Sequence, residues 1–457
     1  MSRHAIVAGA GIGGLTAAVA LRRRGWDVTI LERAQTLEPV GAGLGLGPNA
    51  LHALDAIGLG DEVRRFSAIQ GHGGLRRPGG GWLVRTDLGG LAARFGDPQL
   101  VALRADVVDL LAGRLPAGVL RTGVTVTGVD AGDADRRARV ATSAGDLDAD
   151  LVVAADGIGS RIRAALFPDS PGPRYSGFTT WRFVAPAGPA GAGRAEPAET
   201  WGRGEVFGVL PLASGQVYCY ASAPAPAGVR HDDEAAELKQ RFGRWHDPIP
   251  GLIGAISPDR VLHDDVYWMA ESLPAYHRGR VAILGDAAHA MTPHLGQGAC
   301  QAIEDAVVLA SVVGPGTPAT APADATAPAN GAGPDLAAYT SARLPRTRMV
   351  ANGSYRATRL SGMTSPAAIA LRNTGIRLAG RLAPSLMLRQ MDPLASWTTP
   401  MTLPPTPRCA STTRRPVRGW RPCWGRVRRT SRRTCRCPAP RPVRSRSTAT
   451  WRRPDPR

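Results

Sequence analysis

The sequence predicts an α/β protein in which a three-layer domain with a parallel sheet carries an inserted, mostly antiparallel sheet and is followed by helices. Three observations support this prediction. An apolar strand, a glycine-rich turn and a helix open the chain, as in a βαβ unit. Aromatic-rich segments with a period of two occupy the middle of the chain, which is typical of antiparallel strands. A second glycine-rich turn, near residue 296, joins another apolar strand to a helix.

The strong positive charge of the chain belongs to its C-terminal end. Of the net charge of +19, residues 404–457 contribute 17 Arg and one acid, which is 17 − 1 = +16, so residues 1–403 carry 19 − 16 = +3. This tail contains no Leu, Ile, Phe or Met and cannot build a core. We therefore expect a disordered, non-functional or frameshifted tail; nucleic-acid binding through its arginines is the remote alternative.

Cysteine usage and hydropathy indicate the compartment. Cys219 and Cys300 are the two cysteines of residues 1–403, too few for a disulfide framework and typical of a reducing cytoplasm. The uncharged run Ala5–Leu21 contains four glycines and is followed by three arginines, which favours a strand, a turn and a helix over a signal peptide. We expect a cytoplasmic protein, a monomer or homodimer, that has no membrane partner and no metal site.

The opening βαβ unit indicates a dinucleotide site. In the G-x-G-x-x-G turn, Gly9 permits the tight turn, Gly11 lets backbone approach a pyrophosphate, and Gly14 lets helix and strand pack closely. Glu32 ends the second strand, Asp27–Leu31, where an acid accepts hydrogen bonds from a ribose 2′-hydroxyl. An acid at that position disfavours a 2′-phosphate, so the ligand is FAD or NAD and not NADP.

Two further segments carry candidate cofactor contacts. Leu100–Leu111 has the pattern of an amphipathic helix and includes Arg104, which either contacts a phosphate or ring edge or is a solvated helix arginine. The buried strand Leu151–Ala155 ends in Asp156 and Gly157, a second strand-end carboxylate for the same ligand. Earlier, residues 41–50 predict a glycine-rich loop that leads into a helix through about residue 57.

The aromatic-rich segment between Tyr175 and about Tyr267 predicts the inserted sheet. By strand parity, Thr180 and Arg182 share one face of it, and Trp181 and Phe183 share the other. Tyr218 and Tyr220 likewise share a face of their strand. One face of this sheet either covers a substrate or simply packs on a core.

The third motif is Gly285–Asp305. An apolar strand at 280–284 precedes Asp286, and a helix is predicted from about Ala299 to Leu309. Between them lie Pro293 and the turn Gly296-Gln297-Gly298. A carboxylate at a strand end, followed by glycine-rich backbone at a helix N-terminus, suits a large polar ring.

These three motifs, in this order and spacing, make the sequence resemble the class A flavoprotein monooxygenases, the p-hydroxybenzoate hydroxylase superfamily. The similarity is strongest to the salicylate hydroxylase and 3-hydroxybenzoate 6-hydroxylase branch and covers roughly residues 4–400. It implies a Rossmann-like FAD-binding domain and FAD as the cofactor. The residues that it implies in FAD binding are Gly9, Gly11, Gly14, Glu32, Arg33, Arg104, Asp156, Gly157, Asp286, Pro293, Leu295, Gly296, Gln297 and Gly298.

The resemblance also implies the reaction. NAD(P)H would reduce FAD as a transient co-substrate, and the reduced flavin would add O2 to form a C4a-hydroperoxide that transfers one oxygen atom to an aromatic, phenolic or polycyclic substrate. His294, Tyr218 and Arg182 are the candidates for a catalytic base or an anion anchor, and His294 departs from the Asn or Phe common after the motif's proline. An epoxidase or an oxidase on the same scaffold is the nearest alternative.

The domain boundaries follow from these motifs. We expect an FAD-binding domain at 1–175, with residues 70–100 contributing to the substrate domain, and a substrate-binding sheet at 176–267. The FAD-binding domain resumes at 268–313, and a low-complexity loop occupies 314–334. A helical segment at 335–403 precedes the tail at 404–457.

Overall fold

The computed structural model describes residues 3–37, 42–66, 71–186, 196–315, 334–382, 389 and 391–399. The predicted tail and nearly all of the predicted low-complexity loop lie outside the described residues. Helices and strands are numbered along the chain.

Six strands form the first sheet: β1 (His4–Ala8), β2 (Asp27–Glu32), β7 (Leu120–Thr122), β11 (Leu151–Ala154), β17 (His277–Arg278) and β18 (Val281–Ile283). Their order is β17-β18-β11-β1-β2-β7, and every pair except β17 with β18 is parallel. The apolar strands β1 and β11 are buried along nearly their whole length, as expected for parallel strands covered on both faces. This arrangement confirms the predicted α/β class.

The first sheet shares one buried cluster with helices and a small sheet. The elements involved are α1 (Ile12–Arg23), α2 (Pro48–Ala56), α3 (Gly60–Arg64), α5 (Arg104–Ala112), α6 (Arg161–Leu166), α9 (Asp286–His289), α10 (Gly298–Val312), β8 (Val126–Asp130), β9 (Ala138–Thr142) and β10 (Leu147–Ala149). Strands β8, β9 and β10 form a three-stranded antiparallel sheet. The helix α1 packs closely on α10, because Gly13 brings the two backbones together next to Ala302.

Seven strands form the second sheet: β4 (His72–Arg76), β5 (Trp82–Asp87), β12 (Arg174–Ala185), β13 (Ala198–Trp201), β14 (Val206–Pro211), β15 (Val217–Pro224) and β16 (Leu262–Trp268). Their order is β16-β12-β15-β14-β13-β4-β5, and the pairs are antiparallel except β13 with β4. Residues 72–87 thus add two strands to the sheet built by the later segment. The short helix α4 (Leu88–Phe95) follows β5.

The two faces of the second sheet differ as the strand parity predicts. Trp181 and Phe183 are buried in a cluster with Phe207 and with the helices α7 (Glu234–Phe242) and α8 (Ile249–Gly254). We call this side the outer face. Arg182 and Tyr220, which pair across β12 and β15, lie on the opposite side, the inner face.

One predicted helix is wrong in its first four residues. Leu100–Leu103 is a strand, β6, which pairs with β3 (Gly43–Leu46), and the helix begins only at Arg104. The predicted loop at 41–50 therefore also contains a strand. The physical reason is a contact distant in sequence, because pairing with β3 satisfies the backbone of four residues whose local pattern suits a helix equally well.

The chain continues with the helices α11 (Leu336–Ser361), α12 (Pro366–Leu382) and α13 (Asp392–Ala395). Tyr339 of α11 is buried against the first sheet and donates a hydrogen bond to the carbonyl of Ile283 at 3.0 Å. Cys219 and Cys300 are both buried, free thiols. Within the described ranges, no helix is both long enough and apolar enough to cross a membrane.

Candidate active site

The first glycine-rich turn has the geometry that its sequence predicts. Gly9 adopts a left-handed backbone with φ of +104°, and a Cβ there would overlap the carbonyl oxygen of Ala155. A Cβ on Gly14 would overlap the carbonyl oxygen of Gly9. The helix α1 can therefore lie this close to the turn only because residue 14 has no side chain. A Cβ on Gly11 would meet nothing within 4 Å. The N-terminus of α1 therefore borders open space, which fits a pyrophosphate.

Glu32 supports this turn directly. Its carboxylate accepts hydrogen bonds from the backbone N–H groups of Ala10 at 2.8 Å and Ala34 at 2.9 Å. Each carboxylate oxygen retains a lone pair for a ribose hydroxyl. Arg33 beside it is exposed. The acid therefore both fixes the turn and lies at the end of β2 where an adenosine ribose would be held.

Replacing Glu32 with Ala is expected to weaken FAD binding about tenfold or more, because two charge-assisted bonds to the turn disappear together. Titration of the apoprotein with FAD, followed by quenching of flavin fluorescence, measures the effect. Glu32→Gln is the matched variant. Its FAD affinity should lie between those of the natural chain and of Glu32→Ala, since its amide has one acceptor oxygen. Unchanged affinity in the Ala variant would show that Glu32 does not contribute to this site.

Asp156 and Gly157 follow β11 at the same edge of the sheet. The Asp156 carboxylate accepts one bond from the backbone of Ile162 at 3.3 Å, while its Oδ1 is buried and has no partner within the described residues. Gly157 has a φ of +78°, and a Cβ there would meet nothing within 4 Å. A buried carboxylate oxygen without a partner beside open space fits a polar ligand.

Three charged side chains converge near the end of β18. Asp286 is exposed and begins α9 directly after Gly285, whose φ is +60°. Burial lowers the pKa of Arg104, the negative charge of Asp286 opposes that shift, and the positive charge of Arg182 adds to it. Arg104 is nevertheless an exposed residue, so its side chain is accessible to a ligand. The structure thus brings the inner face of the second sheet to the cofactor edge of the first.

The predicted turn at 293–298 ends at a helix N-terminus. Pro293–Leu295 forms a single 3-10 turn, Gly296 has a φ of +61°, and α10 begins at Gly298. A Cβ on either glycine would meet nothing within 4 Å. The buried amide of Gln297 is held by Asn49, which donates to its Oε1 at 3.0 Å. Backbone N–H groups therefore border open space, as a flavin ring requires.

Sequence reasoning missed a buried ionic network under this turn. Asp305 accepts hydrogen bonds from the backbone N–H of Gly285 at 2.9 Å and from His289 Nε2 at 2.5 Å. Arg343 donates to Asp305 at 2.6 Å and to Glu304 at 2.5 Å. Burial alone would raise the pKa of Asp305, but His289 and Arg343 hold it at about 2. The sequence signal that could have indicated this network is the pair of adjacent acids, Glu304 and Asp305, inside an apolar helix pattern.

The catalytic candidates fall into two places. Tyr218 lies on the inner face and packs its ring on Gly43 of β3. Burial raises its pKa to about 12, so its phenol keeps the proton near neutral pH and is a hydrogen-bond donor there. Arg182, one strand away, forms an ion pair with Asp264. His294 instead contacts Thr358 of α11, with 2.9 Å between Nδ1 and Oγ1, and the ring edge of Phe178.

His294 should make stability depend on pH. Burial lowers its pKa from 6.5 to about 4, so the unfolded chain binds a proton that the folded chain does not between these values. The contribution of His294 to stability is therefore retained in full above about pH 6.5 and is lost as the pH drops toward 4, by roughly 3 kcal/mol. Denaturant unfolding at several pH values measures it. His294→Asn should flatten this pH dependence, and an unaltered slope in that variant would contradict the assignment.

A cavity of about 300 Å³ opens elsewhere, between residues 269–272 and α11, and no predicted site residue lines it. Among the described residues, no group of three or more His, Cys, Asp or Glu is placed to hold a metal ion. The predicted residues that do converge are those of the three motifs together with Arg104 and Arg182. They fit FAD through open glycine backbone, an unpartnered carboxylate oxygen and two helix N-termini.

Comparison with known proteins agrees with this geometry. A family model for an FAD binding domain matches residues 3–314. The chain is 39% identical over 355 residues to the aurachin C monooxygenase/isomerase of Stigmatella aurantiaca, covering 77% of this chain and 88% of that protein. It is 32% identical to the 2-heptyl-3-hydroxy-4(1H)-quinolone synthase of Pseudomonas aeruginosa, covering 82% and 93%.

Among solved structures, Klebsiella pneumoniae HpxO complexed with FAD and uric acid is similar with a TM-score of 0.75 at 27% identity, covering 88% of this chain and 98% of that chain. The family model spans more than half of the sequence, and the aligned relatives span most of it. The chain therefore belongs to the family of FAD-dependent aromatic monooxygenases.

Proposed function

We propose that this chain binds FAD along the carboxyl edge of its parallel sheet and uses NAD(P)H and O2 to hydroxylate an aromatic small molecule. One observation carries the proposal. The adjacent parallel strands β18, β11, β1 and β2 end at one edge, and each end carries a predicted cofactor residue: Asp286, Asp156, Gly9 and Glu32. Ligands of open α/β sheets bind at this edge.

Each residue has a role that its position supports. The turn at Gly9–Gly14 and the N-terminus of α1 would hold the pyrophosphate, and Glu32 the adenosine ribose. Asp286 would bind the ribityl chain, and the backbone at 296–298 would border the flavin ring. The first turn of α10 contains no acid, so its positive end would favour negative charge on the ring. Bound FAD supplies the redox chemistry and the activation of O2.

The inner face of the second sheet is the proposed substrate surface. Arg182 and Tyr218 lie on it, on neighbouring strands, and the charge of Arg182 acts on Arg104 at the cofactor edge. Arg182 would anchor an oxygen of the substrate, and Tyr218 would donate a hydrogen bond. The ribbon of β3 and β6 covers part of this face through Gly43 and Val101, which excludes water from it. Names of relatives include quinolone and urate enzymes, so a heteroaromatic substrate is the first class to test.

The test uses purified protein. We expect one FAD per chain by absorbance and NAD(P)H oxidation that an aromatic substrate accelerates, with a product that gains one oxygen atom. Release of H2O2 without oxygenated product would indicate an oxidase, and an oxygen placed across an isolated double bond would indicate an epoxidase. Absence of bound FAD after refolding with excess FAD would overturn the proposal.

The proposal also includes domain boundaries at residues 175, 267 and 313. We further propose that the protein is cytoplasmic and is a monomer or a homodimer. The oligomeric state is measured by sedimentation, and the location by fractionation of the producing cells. The residues proposed to hold FAD come from segments before and after residues 174–268, which build five strands of the second sheet. Both segments must therefore fold together for the cofactor to bind.

A further inference from the structure

One row of residues crosses the inner face of the second sheet and ends in a buried carboxyl group. By the strand register, Arg182 lies opposite Tyr220, Tyr220 opposite Gly208, and Gly208 opposite Glu199. Directly opposed side chains on neighbouring strands are in contact distance. A Cβ on Gly208 would overlap the Tyr220 ring, so the ring lies flat across the glycine. This places the Tyr220 hydroxyl 3.0 Å from Glu199 Oε1, to which it donates its proton.

The other oxygen of Glu199 also receives a hydrogen bond. The indole Nε1–H of Trp201 donates to Glu199 Oε2 at 2.6 Å. Burial raises the pKa of Glu199, and the two donated bonds oppose that rise because they favour the ionised form. Glu199 and Tyr220 lie deep in the protein yet keep some accessible surface, the combination expected of side chains that line a recess.

This row faces the proposed reaction site. The outer face is filled by the cluster that contains Trp181 and Phe183 under α7 and α8. The inner face carries Arg182, whose charge acts on Arg104, and Arg104 is also acted on by Asp286. A ring held between this face and the cofactor edge therefore lies beside both Arg182 and Tyr220.

A tyrosine hydroxyl has one proton and two acceptor lone pairs. In Tyr220 that proton is committed to the hydrogen bond with Glu199 Oε1, so the hydroxyl offers the recess only an acceptor. Arg182, its neighbour in the row, is a donor only. We propose that Glu199 fixes Tyr220 as a hydrogen-bond acceptor, so that the site selects aromatic rings that present an N–H or O–H donor to Tyr220 and an oxygen acceptor to Arg182. This inference rests on the proposed function and names its substrate class.

Glu199→Gln should reverse the direction of the hydrogen bond between residue 199 and the Tyr220 hydroxyl. The indole of Trp201 can only donate, so it takes the single amide oxygen of the new side chain. The amide nitrogen then faces Tyr220 and donates to its oxygen. The tyrosine proton is released toward the recess, and Tyr220 becomes a donor without any change in the size of residue 199.

The experiment measures binding, by calorimetry on the holoenzyme in mildly alkaline buffer, of two matched pairs. The probes are 4(1H)-quinolone with its N-methyl derivative and salicylate with its O-methyl ether. In the natural chain each parent should bind about tenfold or more tighter than its methylated partner, because methylation leaves Tyr220 unpaired. Glu199→Gln should remove or reverse that preference, and Tyr220→Phe should remove it.

Trp201→Phe is the control, because it deletes the other hydrogen bond of the same carboxylate and leaves the Tyr220 hydroxyl donating to Glu199. Retention of the parent preference in this variant separates the hydrogen-bond direction from general disturbance of the sheet. Equal binding of parent and methylated probe in the natural chain, no binding of either parent, or an unchanged preference in Glu199→Gln would each overturn the inference. Binding preference without oxygenated product would instead count against the proposed function alone.

Discussion

Replacing Arg343 with Met is expected to lower the free energy of unfolding by about 3–5 kcal/mol, because it removes the buried cation that two buried carboxylates share. Arg343 is fully buried, as are Glu304 and Asp305, to which it donates at 2.5 and 2.6 Å. Chemical denaturation followed by circular dichroism measures the loss. A change below about 1 kcal/mol would mean that the network is replaceable.

Arg346 provides the matched comparison. It donates to Glu304 at 2.6 Å, but its side chain is 14% exposed against 1% for Arg343. Arg346→Met should therefore cost clearly less, since Glu304 keeps its bond from the buried Arg343 and the group that is removed is the more exposed cation. A triple variant in which Glu304→Gln and Asp305→Asn accompany Arg343→Met should recover part of the loss, because no buried charge is then left unpaired.

Acid unfolding gives a second measurement of the same network. The folded pKa of Asp305 is about 2, below its ordinary value, so its contribution to stability is present above about pH 4 and is lost as the pH falls toward 2. Without Arg343, burial raises that pKa with less opposition. The variant should therefore begin to unfold at a higher pH than the natural chain.

The network also explains how the cofactor edge is fixed. Asp305 holds the backbone N–H of Gly285, the residue before Asp286, and Arg343 ties the same carboxylate to α11. The position of Asp286 therefore depends on α11, which follows the strands of both sheets in the sequence. Loss of Arg343 should loosen FAD binding as well as the fold.

Local sequence patterns were sufficient where a short segment carries its own constraint. The turn from Gly9 to Gly14 was predicted from the separate role of each glycine, and the structure shows close backbone approaches at Gly9 and Gly14 and open space at Gly11. The strand ends at Asp156 and Asp286 were predicted because apolar runs stop at an acid and a glycine. The faces of Trp181 and Arg182 followed from strand parity alone.

Local patterns were insufficient where the deciding contact is distant. Leu100–Leu103 pairs with a strand more than fifty residues earlier, and nothing within the segment distinguishes that strand from a helix turn. Arg343 lies 38 residues beyond Asp305. The bond between Tyr220 and Glu199 requires the register of three strands and the missing side chain of Gly208, so the sequence alone could not pair them.

Replacing Asp286 with Ala is expected to weaken FAD binding about 100-fold or more, because it removes from the cofactor edge the carboxylate that we propose as the acceptor for the ribityl hydroxyls. The same change deprives Arg104 of the negative charge that opposes the burial of its guanidinium. Titration of the apoprotein with FAD measures the affinity. Full FAD occupancy of the purified variant would contradict the role given to Asp286.

The fold should tolerate Asp286→Ala. Its effect on FAD binding can therefore be distinguished from the effect of Arg343→Met on stability. Asp286 is exposed, whereas Asp305 and Arg343 are buried, so Asp286→Ala should leave the free energy of unfolding of the apoprotein within about 0.5 kcal/mol. Asp286→Asn keeps one acceptor oxygen and loses the charge. Its FAD affinity should therefore lie between those of the natural chain and of Asp286→Ala. If both variants lost stability as Arg343→Met does, Asp286 would be a structural residue and not a cofactor ligand.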